Sequence, residues 1–588
     1  MDIAEAKILL RNLLKRIKPQ EDGSHMLPGV LTDDEIEALK LAIEGLGSSA
    51  TNTHPAAKTH PSPSVLPASP KAPIPAFPSP EPDVSVSVPD VHKDAPKKST
   101  KIRVELDLSS LSAAPAPQNV RLCLDFGTAM SKATLVRDNG DTGAEEIHVL
   151  RLGVPGDQEE DSEVMLISSV FIDGEGKLWF GKAAVDRSLV EGGDGSRQRM
   201  DNIKRRLSED GWEEKVSKRL NPTDQDVTYG DMVLAYLMFM TWAVNNCLEG
   251  MGYPWNLPRR FAMPCLAGEK GRETVIRLRR CVGEAQVLAD TFYSRLKEGI
   301  ALEDFLAALA ELRRETRNFY YVAEDVTEPL GVAGSIISWT AAVDNLMLVV
   351  DIGAGTSDLS LYRIHINPSL GQNEAMEIEG TAKGLTEAGN HLDRILIELI
   401  IKKSGITSDE PMWVNVRGAL ELRIRDYKES LFNDGYVVVS LLNGMEVEIQ
   451  LDEFLQLDAV ANFGANLRKA MVEILEAVDP SLINWILANP ARNLVVALTG
   501  GGAELPMVKK LAEESIRIGN LNVPVARALP FPKWLRQIDA NLEADYPRVA
   551  VSLGGARRQL IKRGSAMKIT AGDVTQTPKL GGYYTKGN

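Results

Sequence analysis

Cysteine is scarce in this chain. There are four in 588 residues, Cys123, Cys247, Cys265 and Cys281, and no CxxC pair. That argues against a disulfide framework or a zinc site and fits a reducing compartment. Basic charge is in deficit as well. Lysine and arginine number 66 against 81 acidic residues, a formal net charge of −15, which gives a general nucleic-acid-binding role little electrostatic support. Long apolar runs are missing too. The longest of consequence, Met232 to Val244, is broken by Thr241 and falls short of the ~20 residues a bilayer span needs. It reads as a buried helix. The opening MDIAEAKILLRNLLKRIKP is charged throughout and lacks the apolar core of a secretory signal. A cytoplasmic chain with no membrane span is expected.

What is present is the texture of a globular protein, with 44% hydrophobic and 25% charged residues. The length exceeds what one hydrophobic core usually serves, so two or more packed domains are expected. Residues 1–47 carry two helix-like patterns. The second opens with Thr32 and Glu35 in capping-box spacing and closes at Gly47, with Leu39, Ala42, Ile43 and Leu46 on one face. Residues 48–118 hold fourteen of the 32 prolines, between Pro55 and Pro117. Such a stretch buries too little apolar surface to offset its ordering entropy, so a disordered linker is expected there. From 119 to about 564, β-branched runs alternate with amphipathic stretches, the pattern of an α/β protein with mixed sheets. Residues 565–588 read as a flexible tail.

Two segments of that region repeat. VRLCLDFGTAMSKATLVR (120–137) and MLVVDIGAGTSDLSLYR (347–363) align at a shift of 226, sharing Asp125/Asp351, Gly127/Gly353, Ser131/Ser357, Leu135/Leu361 and Arg137/Arg363. Each reads as strand, polar glycine turn, strand, one copy per lobe. Glycine lets backbone amides approach a phosphate, and threonine hydroxyls add donors. An aspartate closing each first strand suits hydrated Mg²⁺, which prefers oxygen ligands. Facing hairpins would clamp a polyphosphate and its metal from both sides. A third segment, NLVVALTGGGAELPMVKKLAEE (493–514), runs from an apolar strand through Gly500, Gly501 and Gly502 into an expected helix from about Leu505, a place where backbone approaches an anion.

This ordered trio resembles the phosphate and adenosine motifs of the actin-like ATPase superfamily, over roughly residues 119–564. Within that superfamily the DnaK-type chaperone ATPase domain is most similar. DNIKRRL, with Lys204, resembles the segment whose lysine contributes to hydrolysis. VTEPLGVAGS, with Glu328, resembles the connecting segment whose glutamate holds water. SSVFIDGEGKLWFGKAA (168–184) resembles an early strand pair, and RVAVSLGGARRQL (548–560) the second connecting helix. The resemblance implies a duplicated, ribonuclease-H-like two-lobe fold, with lobes over 119–345 and 346–564. Asp125 and Asp351 would hold the Mg²⁺ shell. Thr128, Ala129, Thr356 and the backbone of Gly127, Gly353, Ala354 and Gly355 would take the phosphates. Lys204 and Glu328 would position water and stabilise developing charge.

The departures from that family matter. Aligned with it, Glu429 and Glu504 stand where two arginines flank the adenine; Lys428 is retained, and Phe432 replaces a serine. Base recognition is therefore expected to differ while ATP and Mg²⁺ handling persists. No peptide-binding domain follows residue 564 in this sequence, so a protein partner is expected on the lobes, the linker or the N-terminal helices, with self-association open. An insertion between Pro264 and Glu328 includes a helical pattern over 301–319 whose apolar face is expected to join the core. The expected activity is slow, chaperone-like ATP hydrolysis. An MreB-like filament former, a small-molecule kinase and a weakly hydrolysing scaffold are the alternatives.

Overall fold

The computed structural model describes residues 18–19, 25–26, 104–140, 144–153, 163–207, 211–266 and 268–565. The chain divides into two compact units, Met1–Lys97 and Lys98–Asn588. In the first, the described part is an antiparallel pairing of Lys18–Pro19 with His25–Met26. The helical module expected within 1–47, the linker over 48–103 and the tail beyond 565 lie outside the described residues.

The second unit is mixed α/β, built on two sheets. The first contains β1 (Val120–Asp125), β2 (Met130–Asp138), β3 (Glu145–Val149), β4 (Arg259–Met263) and β5 (Val322–Thr327), ordered β5-β4-β1-β2-β3. Strands β1 to β3 form an antiparallel meander, while β4 runs parallel to β1 and β5 parallel to β4. The second contains β6 (Val343–Ile352), β7 (Ser357–Asn367), β8 (Gln372–Ile378), β9 (Leu494–Thr499) and β10 (Leu521–Arg527) in the order β8-β7-β6-β9-β10. Again the first three are antiparallel and the last two parallel to β6. The repeat seen in the hairpins thus extends to a five-strand order and its directions. Central strands read as near-continuous apolar runs, LMLVV in β6 and VVAL in β9, because helices cover both faces.

Helix α1 (Tyr229–Gly250) holds the apolar run. Met232 through Val244 are all buried, and a Thr228–Asp231 capping box starts the helix. A helix apolar all round has to be buried all round; here it packs on α2 (Gly268–Thr291). The 301–319 pattern forms a helix over Leu302–Leu312 with Leu302, Phe305, Ala308, Leu309 and Leu312 in the core.

Two expectations are corrected. Residues 104–118, assigned by composition to the linker, pack on the first sheet's core through Val104, Leu106, Leu108 and Leu111. Ser110 donates its hydroxyl to Asp290 of α2, and Asn256 donates to the Ala114 carbonyl at 2.8 Å. Spaced leucines and valines supply the burial that the surrounding prolines obscure in an average. The helix expected from Leu505 to Glu514 is a single turn, Pro506–Lys509, followed by a 3₁₀ turn and a strand, Ser515–Ile518. Ile516 pairs with Val523, and this β-hairpin overrides local helix propensity.

The two sheets are joined by helices that trade places. Helix α3 (Glu328–Ile336) follows the first sheet but packs on β6 and β7; α6 (Tyr546–Ala556) follows the second but packs on β1 and β2, where the Thr134 and Ser552 hydroxyls bond at 2.8 Å. Between these helices in sequence lie α4 (Gly389–Ser404) and α5 (Trp413–Asp434). Where α3 crosses α6, a Cβ added to Gly554 would lie 1.7 Å from the Gly331 carbonyl oxygen. Gly554→Ala is therefore expected to cost more than the about 1–3 kcal/mol usual for overpacking, read as a drop in urea midpoint; an unchanged midpoint would contradict the crossing.

Burial lifts the Asp290 carboxyl to about 6, against the hydrogen bonds from Ser110 and Gln286. An unfolded aspartate titrates near ~4, so the folded chain binds an extra proton between those values. Stability is then expected to fall as pH rises from about 4 to 6 and to level off above. Asp290→Asn should flatten that slope in melting curves taken from pH 4.5 to 7.

Candidate functional site

Each repeated hairpin carries a buried aspartate at or next to the end of its first strand, Asp125 in β1 and Asp351 in β6, where both faces of the strand are covered. The two turns meet across the cleft. A Cβ on Gly355 would sit 2.6 Å from the Thr128 hydroxyl oxygen, so only glycine allows the turns to approach this closely. Among the described residues, the amides of Thr128, Ala129, Ala354 and Gly355 enter no backbone hydrogen bond. The amide of Gly353 does: it closes its own turn onto the Thr356 carbonyl at 2.9 Å. Gly353 therefore shapes the loop, and its expected part as a phosphate donor is corrected accordingly.

Glu328 is the first residue of α3 and Lys204 lies in the 3₁₀ turn Ile203–Leu207; both are buried and form an ion pair. Burial alone would lower the Lys204 pKa, but Glu328, Asp125 and Asp358 outweigh it and the net shift is upward. Asp351 is pushed well above the usual carboxylate range, first by burial and then by Glu328, Asp358 and Asp125, with Lys132 opposing. Asp358 rises to about 7 for the same leading reasons, burial and Glu328.

Asp358 and Lys132 were not singled out in the sequence. Both lie on the second strand of their hairpins, opposite the first-strand aspartates: Lys132 pairs in register with Asp125, Asp358 with Asp351. They occupy equivalent places in the repeat, offset by the same 226 residues (358 − 132). A comparison counting identities passes over them because their charges are opposite; the signal was a charged residue at the same place in both copies of the repeat. Asp358 accepts the Cys265 amide at 2.7 Å with one oxygen, and the Thr356 side chain also holds its pKa down; among the described residues its other oxygen is buried with no partner in hydrogen-bond geometry.

The third motif closes the site from the second sheet. A Cβ on Gly500 would meet an Asp351 carboxylate oxygen at 2.5 Å, and one on Gly502 the Ile352 side chain at 2.4 Å. Their amides are spent on the Pro547 and Ile352 carbonyls, while Gly501 faces open space. Lys428 on α5 pairs with Asp393 at 2.6 Å and donates to the Gly389 carbonyl at 3.2 Å, at the N-terminus of α4. Glu429 is exposed on α5, and desolvation by its neighbours raises its pKa, with Arg425 and Lys428 opposing. Glu504 is held elsewhere: it pairs with Lys509 at 2.7 Å and Arg527 at 2.9 Å on an exposed surface. The expectation that Glu504 contacts a nucleotide base meets a side chain already committed to two cations.

Across the cleft, the two halves also touch away from the aspartates. Gln198 donates to Glu421 and Arg199 to the Leu422 carbonyl, each at 2.7 Å, and Asn390 donates to Asn202 at 2.9 Å. The enclosed cluster holds four carboxyls, Asp125, Glu328, Asp351 and Asp358, against two ammoniums, Lys132 and Lys204. An uncompensated excess of buried carboxylate suits a hydrated dication. Among the described residues no three Asp, Glu, His or Cys side chains converge closely enough to ligate a metal directly.

Lys204→Met should strand Glu328 in the interior and cost about 3–5 kcal/mol. Adding Glu328→Gln should recover most of that loss in urea unfolding. A double variant as unstable as the single one would show that the two residues are not energetically coupled.

All four cysteines are free thiols, and no helix among the described residues is long and apolar enough to cross a membrane. No protein-family model matches this chain, and no curated protein matches it.

Proposed function

We propose that this chain is an ATPase with a duplicated, actin-like two-lobe fold, in which ATP and Mg²⁺ bind between the facing hairpins and lobe closure regulates a protein partner, in the manner of a DnaK-type chaperone ATPase domain. The observation that carries the reading is the meeting of the two repeated Asp-Gly turns, Thr128 against Gly355, over a buried cluster with excess carboxylate. The repeated strand order of the two sheets supports it.

The amides of Thr128, Ala129, Ala354 and Gly355 and the hydroxyls of Thr128 and Thr356 would hold phosphate oxygens. Asp125 and Asp351 would hold the water shell of Mg²⁺, which when bound offsets phosphate charge and lets all four acidic groups ionise together. Lys204 keeps its proton in this setting and donates to oxygens that gain charge as the terminal phosphoryl group departs. Glu328, pinned by Lys204, accepts a hydrogen bond from the attacking water and orients it. The base would lie toward α5 and the Gly500–Gly502 loop. There Glu429 replaces a cation, so selectivity for adenine should be weak. The contacts of Gln198, Arg199 and Asn202 with the second half are polar and would part as the cleft opens, linking nucleotide state to shape and so to partner affinity.

The test is single-turnover hydrolysis of ATP with Mg²⁺ by the full chain. Wild type should cleave ATP, and Asp125→Ala and Lys204→Arg should each slow the step by roughly a hundredfold or more. Wild type that neither binds nor cleaves ATP would overturn the reading.

A further inference from the structure

The segment from Leu302 to Tyr321 does more than add a helix to the core. After Leu302–Leu312 the chain returns to β5 along α2, and Gly283 of α2 makes room for it: a Cβ there would run into the Phe319 ring. With Phe319 seated, α2 and the returning chain frame a recess of about 480 Å³, within the ~300–1,000 Å³ of small-molecule sites. Its charge is one-sided. Arg279, Arg280, Arg313 and Arg317 line it against Glu284 and Glu315, in a chain whose formal net charge is −15. Glu284 is buried and shared, accepting from Arg280 at 2.7 Å and from Arg313 at 3.0 Å. Glu315 is 72% exposed and pairs with Arg317 at 3.1 Å. The Arg317 Nε is buried with no hydrogen-bond partner among the described residues. Two further acids face these arginines from outside the recess, Asp231 at 3.6 Å from Arg313 and Asp325 at 3.9 Å from Arg279. Both are committed elsewhere, Asp231 to the cap of α1 and Asp325 to Arg563 at 2.7 Å.

We propose that this recess is a binding site for a small phosphate monoester with an apolar body. The arginines that line it exceed the acids by two (four less two), and a phosphomonoester carries about −1.5 to −2 at neutral pH. Guanidinium forks match phosphate oxygens in pairs and keep their charge at any physiological pH. A monocarboxylate leaves half of the excess unbalanced, and a dicarboxylate spreads the same charge over two groups. The bound oxygens also give the Arg317 Nε the acceptor it lacks, and a buried donor left without one is costly. The body of the ligand has its own place. Ile276 and Tyr320 line the recess while remaining 69% and 48% exposed, so its rim is apolar, and Leu312 is buried beneath. None of the lining residues belongs to the cluster around Asp125 and Asp351, and the proposal does not rest on the ATP-binding reading.

The experiment is a ligand-detected NMR titration of phenyl phosphate with the full chain, with inorganic phosphate and succinate run in parallel. Wild type should bind phenyl phosphate with a Kd of roughly 1 mM or tighter, and about tenfold more tightly than either comparison anion. Arg317→Gln and Arg280→Gln should each weaken binding about tenfold or more, the loss of one charged hydrogen bond. Neither change strands a buried acid, because Arg313 still holds Glu284 and Glu315 is exposed. Arg314→Gln is the control. Arg314 pairs with Glu311 at 2.5 Å and does not line the recess, so affinity should stay as in wild type. Four outcomes overturn the proposal: no binding of phenyl phosphate at roughly 10 mM, equal affinity for a comparison anion, affinity unmoved in both lining variants, or an equal loss in Arg314→Gln. Each leaves the ATP reading untouched.

Discussion

Backbone touches backbone where α3 crosses α6, at Gly331 and Gly554, with no side chain between. That contact sets the distance between the two sheets, and the site depends on it. Glu328 opens α3, so the height of the crossing fixes how far its carboxylate reaches toward Lys204. The Ser335 and Tyr546 hydroxyls bond at 2.8 Å beside the glycines, and Arg557 donates to the Gly334 and Ile337 carbonyls just beyond. A crossing so close has little freedom to slide, because close-packed interiors move between discrete arrangements rather than deform. It can act as a pivot. On the other side, the halves meet through the polar contacts at Gln198, Arg199 and Asn202 and through a close approach of Gly195 to the Asn415 carbonyl.

The second organising constraint is charge. Four carboxyls and two ammoniums share a region from which water is largely excluded, and burial dominates the shifts of Asp351 and Asp358. A cluster of this kind is costly to keep ionised. Hydrogen bonds soften part of the cost, as the Cys265 amide does for Asp358. The remainder is a standing preference for positive charge, which makes the cleft more than a gap between two sheets.

Much of this architecture was legible in the residues. The Asp-Gly repeat was visible because both turns need the same small residues for the same close approach, and the buried helix over Met232–Val244 because nothing polar interrupts it but Thr241. What was not legible has physical causes. Residues 104–118 fold onto the core through four spaced side chains that a composition average dilutes. Leu505–Glu514 has helical propensity, but Ile516 finds a strand partner in Val523. Lys132 and Asp358 stayed hidden because the repeat was read by identity, and their importance lies in being different. Glu504 matched a motif position, yet Lys509 and Arg527, distant from one another in sequence, hold it at the surface.

The exchange of connecting helices bears on how the chain is made. One face of the first sheet is covered by α6, which packs on β1 and β2 and places Gly555 against Cys123. Those strands leave the ribosome some four hundred residues before α6 does (546 − 138). During that interval the first half can form its meander and bury α1, but it presents an uncovered apolar face to the cell. Synthesis at ~5–20 residues per second makes that a wait of roughly 20–80 s. The helix that closes the sheet is thus delivered long after the strands it covers.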